Sequence, residues 1–143
     1  MKALVLDASV AAKWFLPSEN EPLTLEAKQL LVAHTRDEIA FVVPDFFWAE
    51  MGNVLWKAVR TKRISVAQMW ARLADVRKLP VLTCASSDLI EDAMRIALRF
   101  NRSIYDSLYV ALAVESATEM VTADERLANS LAAHLPVKWL GAI

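Results

Sequence analysis

The sequence predicts an α/β protein built around a central, mostly parallel sheet with helices on both faces. Two observations carry that expectation. Short, nearly continuous apolar runs alternate with longer helix-like segments from one end of the 143-residue chain to the other. Runs of that kind are strands buried on both faces, and their alternation with helices makes parallel crossover units. Hydrophobic residues make up 56% of the chain, ample for one packed core. No internal repeat, low-complexity stretch or linker interrupts the pattern, so residues 1–143 read as a single domain.

The elements follow in order. Ala3 to Leu6 is an apolar run ending at Asp7, a buried strand. Ala8 to Leu16 is helix-like and stops at Pro17, and a polar stretch from Ser18 to Pro22 connects it onward. Thr24 to His34 carries Ala27, Leu30, Leu31 and Ala33 on an apolar side. Ile39 to Val43 is a second strand, and Pro44-Asp45 is suited to begin the next helix, which runs to about Arg60. Ser65 is the expected N-cap of a helix reaching Lys78. Val81 to Cys84 is a third strand. Ser87 or Asp88 then caps a helix to about Phe100. Tyr105-Asp106 opens a helix whose body, Leu108 to Val114, is almost wholly apolar and therefore central. Glu119 to Thr122 is a strand, Asp124 opens a helix to about His134, and Val137 to Leu140 is the final strand.

Composition excludes several classes. No apolar run reaches the roughly 18–20 residues that span a bilayer. Asp7 follows the first strand too soon for a secretory signal. A single cysteine, Cys84, excludes an internal disulfide, and a cytoplasmic protein is expected. Two glycines, Gly52 and Gly141, cannot build a P-loop or a dinucleotide fingerprint. His34 and His134 with one cysteine cannot make a structural zinc site. The net charge of -1 means that any nucleic acid is held by a local basic patch or through metal ions. Five Trp and five Phe in so short a chain suggest apolar area buried between subunits, so a homodimer or a stable partner is expected.

Ligands of such sheets bind outside the carboxyl ends of the strands. Asp7 and Asp124 both follow strands directly, although either could be only a helix N-cap. Asp106 begins the central apolar helix, where it could merely complement the helix dipole. Glu50 stands amid Phe46, Phe47, Trp48, Met51 and Val54. A carboxylate buried there without a partner costs several kcal/mol. Helical spacing places it on a stripe with Phe46, Asn53 and Lys57 that is either solvated or faces a cleft. Four acids at one edge repel unless a cation neutralises them, and oxygen ligands suit Mg²⁺ or Mn²⁺. Such an ion takes one or two carboxylates directly and keeps several waters.

Val5-Leu6-Asp7-Ala8-Ser9, Glu50 in the helix after Pro44, the run Tyr105 to Ala113 around Asp106, and Thr122-Ala123-Asp124 together resemble the PIN-domain family. Their order and spacing look most like the VapC toxins of type II toxin–antitoxin pairs, over essentially the whole chain. The resemblance implies a three-layer α/β/α fold and a Mg²⁺- or Mn²⁺-dependent endoribonuclease. It implies hydrolysis by metal-activated water, with 5′-phosphate and 3′-hydroxyl products. Asp7, Glu50, Asp106 and Asp124 match its catalytic and metal-binding acids, and Ser9 and Thr122 its supporting hydroxyls. The partners it implies are an RNA substrate and a VapB-like antitoxin.

Two basic clusters could hold RNA phosphates beside the cut, or could simply be solvated helix ends. They are Lys57, Arg60, Lys62 and Arg63, and Arg95, Arg99 and Arg102. An aspartyl-phosphate phosphatase would place a second Asp two residues after the first, where this chain has Ser9. A nuclease of RNA maturation and a non-catalytic PIN-like binding module remain the alternatives; the presence of all four acids argues against the latter.

Overall fold

The computed structural model describes all 143 residues. Five strands form one all-parallel sheet: β1 (Lys2–Leu6), β2 (Ile39–Pro44), β3 (Val81–Cys84), β4 (Met120–Thr122) and β5 (Val137–Trp139). Their spatial order is β3-β2-β1-β4-β5. Seven helices connect them: α1 (Ala8–Phe15), α2 (Thr24–Thr35), α3 (Phe47–Arg60), α4 (Val66–Val76), α5 (Ser86–Phe100), α6 (Ile104–Glu115) and α7 (Glu125–Leu131). A 3₁₀ turn, Leu140–Ala142, closes the chain. None of the helices is long and apolar enough to cross a membrane.

The two-residue period of a strand sorts its side chains into two cores. Leu4, Leu6, Phe41, Val43 and Val121 face one side, packed with Val10, Phe15, Phe47, Met51 and Leu55 of α1 and α3. Val5, Val42, Met120 and Val137 face the other, packed with Leu89, Tyr109, Leu112 and Leu127 of α5, α6 and α7. Helices thus cover both faces, giving the three-layer α/β/α architecture. The sheet reverses its winding between β1 and β4. That switch point opens a crevice at the carboxyl edge, and both strands deliver an aspartate into it.

Several boundaries differ from the sequence reading. Pro44 ends β2 rather than starting a helix. It pairs in register with Cys84, and the next N–H, Asp45, bonds the Cys84 carbonyl at 2.8 Å, so the ladder continues past the missing donor. Asp45 instead receives the backbone N–H and hydroxyl of Ser86 and thereby caps α5 from a distance. That is why α5 starts at Ser86, ahead of the expected Ser87 or Asp88. Ser65 does cap α4, in a reciprocal pair with Gln68. Helix α6 starts one residue early because Ser103 caps it, accepting the Asp106 N–H at 3.1 Å. Helix α7 ends at Leu131, and Leu140 belongs to the 3₁₀ turn, not to β5.

The polar connection after α1 hides a charged cluster. Lys13 is 8% exposed and bonds Glu21 at 3.0 Å, and Arg63 meets the other Glu21 oxygen at 3.1 Å. Burial alone would raise the Glu21 carboxyl, but the hydrogen bonds and charges of Lys13 and Arg63 outweigh it and hold it below its usual range. A depressed carboxyl stabilises the fold above its unfolded pKa, and that contribution is lost as pH falls through the folded value. Glu21→Gln leaves the Lys13 ammonium buried without a counter-charge and is expected to cost about 2 kcal/mol at neutral pH. Urea unfolding at pH 7 measures this; an unchanged midpoint would mean that the pair contributes nothing.

Candidate active site

All four predicted acids reach one cavity of about 560 Å³ at the carboxyl edge, lined also by Ser9, Phe46, Asn53 and Tyr105. A larger hollow of about 730 Å³ lies at the opposite edge around Lys2, His134 and Pro136, but Glu119 is its only carboxylate.

Asp7 leaves β1 in extended conformation and begins α1, yet its carboxylate accepts no capping hydrogen bond from that helix. It is committed elsewhere. One oxygen, Oδ2, accepts the Ser9 and Thr122 hydroxyls, each at 2.7 Å. Both hydroxyls are themselves fixed by backbone donors: Ala123 N–H donates to Ser9 Oγ at 3.0 Å, and Asp124 N–H donates to Thr122 Oγ1 at 3.1 Å. Two strand ends on either side of the switch point are therefore clamped through a single carboxylate oxygen. Burial raises the Asp7 carboxyl above its ordinary range; the two hydroxyls pull it down and the Asp106 charge pushes it up again.

Glu50 projects from the first turn of α3, on one face of the sheet, toward α6 on the other. Its Oε1 accepts the Tyr109 hydroxyl at 2.7 Å. Desolvation is the main reason that its carboxyl is pushed up to about 7; Tyr109 lowers it, and the charges of Asp7 and Asp106 raise it. Asp106 has one cation nearby, Arg102, at 3.5 Å. Asp124 keeps a capping role as well, accepting the Leu127 N–H at 3.1 Å.

Tyr109 was the residue missed. It is 1% exposed, and burial, with the neighbouring Asp7 and Glu50 charges, raises its phenol so that it stays protonated and can only donate to Glu50. The signal was present: Tyr109 lies one turn after Asp106, and a tyrosine inside an apolar helix needs a partner for its hydroxyl.

The basic residues divide. Arg102 touches a cavity acid, and Arg99 stacks over Phe100 at 5.0 Å. Arg95 is bound to Asp92 at 2.7 Å, Arg63 to Glu21, and Arg60 stacks on Trp56 at 5.2 Å. Lys57 and Lys62 do not line the cavity.

Thr122→Val is isosteric but removes a donor to Asp7 and the acceptor for Asp124 N–H. It is expected to destabilise the fold by about 1–2 kcal/mol, with a lowered melting temperature as the measurement; no shift would mean that the clamp is idle.

Fold and cavity together define a parallel-sheet α/β protein with an acid-lined cleft at its switch point. Comparison with known proteins narrows this. The PIN domain family model matches residues 4–130. The VapC ribonuclease Mb0985 of Mycobacterium bovis is 31% identical over 140 residues, 94% of this chain and 95% of its own. Ribonuclease VapC3 of Pyrobaculum aerophilum is 29% identical over 134 residues, 91% and 95% of the two chains. The crystal structure of PAE2754 from Pyrobaculum aerophilum has a TM-score of 0.69 at 22% identity, covering 99% of this chain and 91% of that one, a likeness of fold. The chain belongs to the PIN domain family.

Proposed function

We propose that residues 1–143 work as one PIN domain and form a Mg²⁺- or Mn²⁺-dependent endoribonuclease, the toxin of a VapBC-type pair. The observation that carries this reading is the meeting of Asp7, Glu50, Asp106 and Asp124 in one cavity. Kinship with relatives named VapC ribonucleases supports it.

The donor set fits a hard divalent cation. It consists of oxygen alone, two of its carboxyls are raised by burial and by neighbouring negative charge, and Arg102 is the one cation that touches it. Mg²⁺ usually takes one or two carboxylates directly and retains several waters, so the remaining acids would act on those waters or on a second ion. When bound, Mg²⁺ or Mn²⁺ supplies activation of water and charge offset at the scissile phosphate.

The chain's own groups do the positioning. Ser9 and Thr122 occupy one oxygen of Asp7 and fix the carboxylate plane. Tyr109 holds Glu50 toward the cavity, and Glu50, whose carboxyl is pushed up to about 7, would have to release its proton to serve as a ligand to a divalent cation. Arg102 restrains Asp106 and, with Arg99, can meet a phosphate beside the cut. Lys57, Arg60, Lys62 and Arg63 could serve only a longer RNA running past the end of α3.

The reading includes a homodimer, a cytoplasmic setting and a VapB-like antitoxin that covers the acidic cleft. Induced expression tests it: growth should stop, RNA fragments bearing 5′-phosphates should accumulate, and co-expression of the antitoxin should restore growth. Unimpaired growth with intact RNA would count against the toxin reading.

A further inference from the structure

Three large aromatic side chains are exposed: Trp56, Trp70 and Tyr105. Of these only Tyr105 lines the acid cavity. It is 61% exposed and immediately precedes Asp106 in the first turn of α6. Its ring is nonetheless held. It meets Phe46 edge-on, with centroids 5.6 Å apart and planes at 63°, and Phe46 meets Tyr109 in the same way at 5.2 Å and 72°. Tyr109 is buried and donates to Glu50. An aromatic ladder therefore runs from Glu50 outward to the lip of the cavity, and its last ring stands largely in solvent. Core packing does not account for that ring. The core takes Tyr109, one turn further along the same side of α6.

We propose that the Tyr105 ring is a stacking platform for an unpaired base of the RNA, beside the phosphate that is cut. The inference rests on the nuclease reading above and names the part of the substrate that this lip of the cavity holds. The charge of the cavity favours a base as the occupant. Asp7, Glu50, Asp106 and Asp124 line it, and Arg102 is the one cation in contact with them, so phosphates approach against repulsion. Direct affinity must then come largely from the neutral part of a nucleotide, and a held, exposed aromatic ring suits the face of a base. The Cα atoms of Tyr105 and Asp106 are about 3.8 Å apart. A base on the ring and a phosphate at the acid therefore belong to the same or to neighbouring nucleotides. Every base has such a face, so Tyr105 adds affinity without choosing among the four. What it selects is a strand whose base is free to leave its neighbours, which a base within a duplex is not.

The test separates base from backbone. Protein carrying Asp7→Asn, used so that the RNA stays intact, is titrated in Mn²⁺ against two fluorescein-labelled single-stranded RNAs of about 12 nucleotides. One is a pool of randomised sequence and the other has abasic riboses throughout; fluorescence anisotropy gives Kd for each. Adding Tyr105→Ala should raise Kd for the randomised pool about tenfold and leave the abasic strand within about twofold. Tyr105→Phe, which keeps the ring, should match the parent on both, and circular dichroism should be unchanged throughout. In the cutting protein, Tyr105→Ala should raise KM about tenfold with kcat within about threefold. An unchanged Kd for the pool would overturn the proposal. Equal losses on the two strands would overturn it too, because the ring would then act through the fold or the backbone path. So would a parent protein that binds neither RNA. If Tyr105→Ala left RNA binding intact but abolished neutralisation by a co-expressed antitoxin, the ring would belong to the protein partner, again overturning it. Metal-dependent cutting by wild type beside any of these failures would leave the nuclease reading standing. Base-dependent binding without cutting would support the platform and count against the nuclease.

Discussion

Asp7→Asn should lower RNA cleavage at least about 10³-fold while leaving the fold intact. The amide oxygen can still accept the Ser9 and Thr122 hydroxyls, so the clamp between β1 and β4 survives. What is lost is the negative charge at the centre of the cavity. In the metal-free protein that charge is a burden, because burial and the Asp106 carboxylate both disfavour it. A carboxyl whose folded pKa is raised destabilises the fold as pH climbs above its unfolded value. The variant is therefore expected to melt no lower than wild type at pH 8 in EDTA. It should also gain less from Mn²⁺. Cleavage at the wild-type rate would remove Asp7 from the site. Collapse of the fold would show instead that the charge is structural.

Glu50→Gln carries the second large effect. The Glu50 carboxyl titrates near 7 when folded, against an ordinary value of 4.5. The folded protein thus holds more protons than the unfolded chain between those limits, and metal-free stability falls as pH rises from about 4.5 to 7, then levels off. Glutamine removes this contribution, and the residual slope belongs to Asp7. Above pH 7 the variant should be the more stable protein in EDTA and the less responsive to Mn²⁺, because a ligand stabilises only by what it binds. Its cleavage rate should fall about 100-fold. Thermal unfolding at pH 5, 6, 7 and 8, with EDTA and with Mn²⁺, reads both terms. Parallel pH profiles for the two proteins would place Glu50 in solvent, without a role in the cleft.

The architecture was legible because strand and helix periods differ and because the strands, buried on both faces, read as unbroken apolar runs. Helix ends were less so. Asp45 caps a helix 41 residues away, and no local pattern announces a contact made by tertiary folding. The acids were legible for a reason of topology: Asp7 and Asp124 follow strands, and in a parallel sheet every strand ends at the same edge. Glu50 stood out because a carboxylate among aromatics needs an explanation. Tyr109 did not, since a tyrosine in an apolar helix reads as core until its hydroxyl is seen to donate to Glu50. Lys13 and Glu21 were hidden similarly, an ion pair whose burial depends on how the loop after α1 folds back. The basic clusters were read as candidates of equal standing, and the structure separates them by what already binds each one.

The central claim is that this cleft cuts RNA only when a divalent cation is present. The direct measurement is cleavage of end-labelled single-stranded RNA and of total RNA by the purified protein in Mg²⁺, in Mn²⁺ and in EDTA, with Asp7→Asn in parallel. The account predicts fragments bearing 5′-phosphates in either metal, and none in EDTA or with the variant. Cutting that persists in EDTA, or that the variant retains, would contradict it.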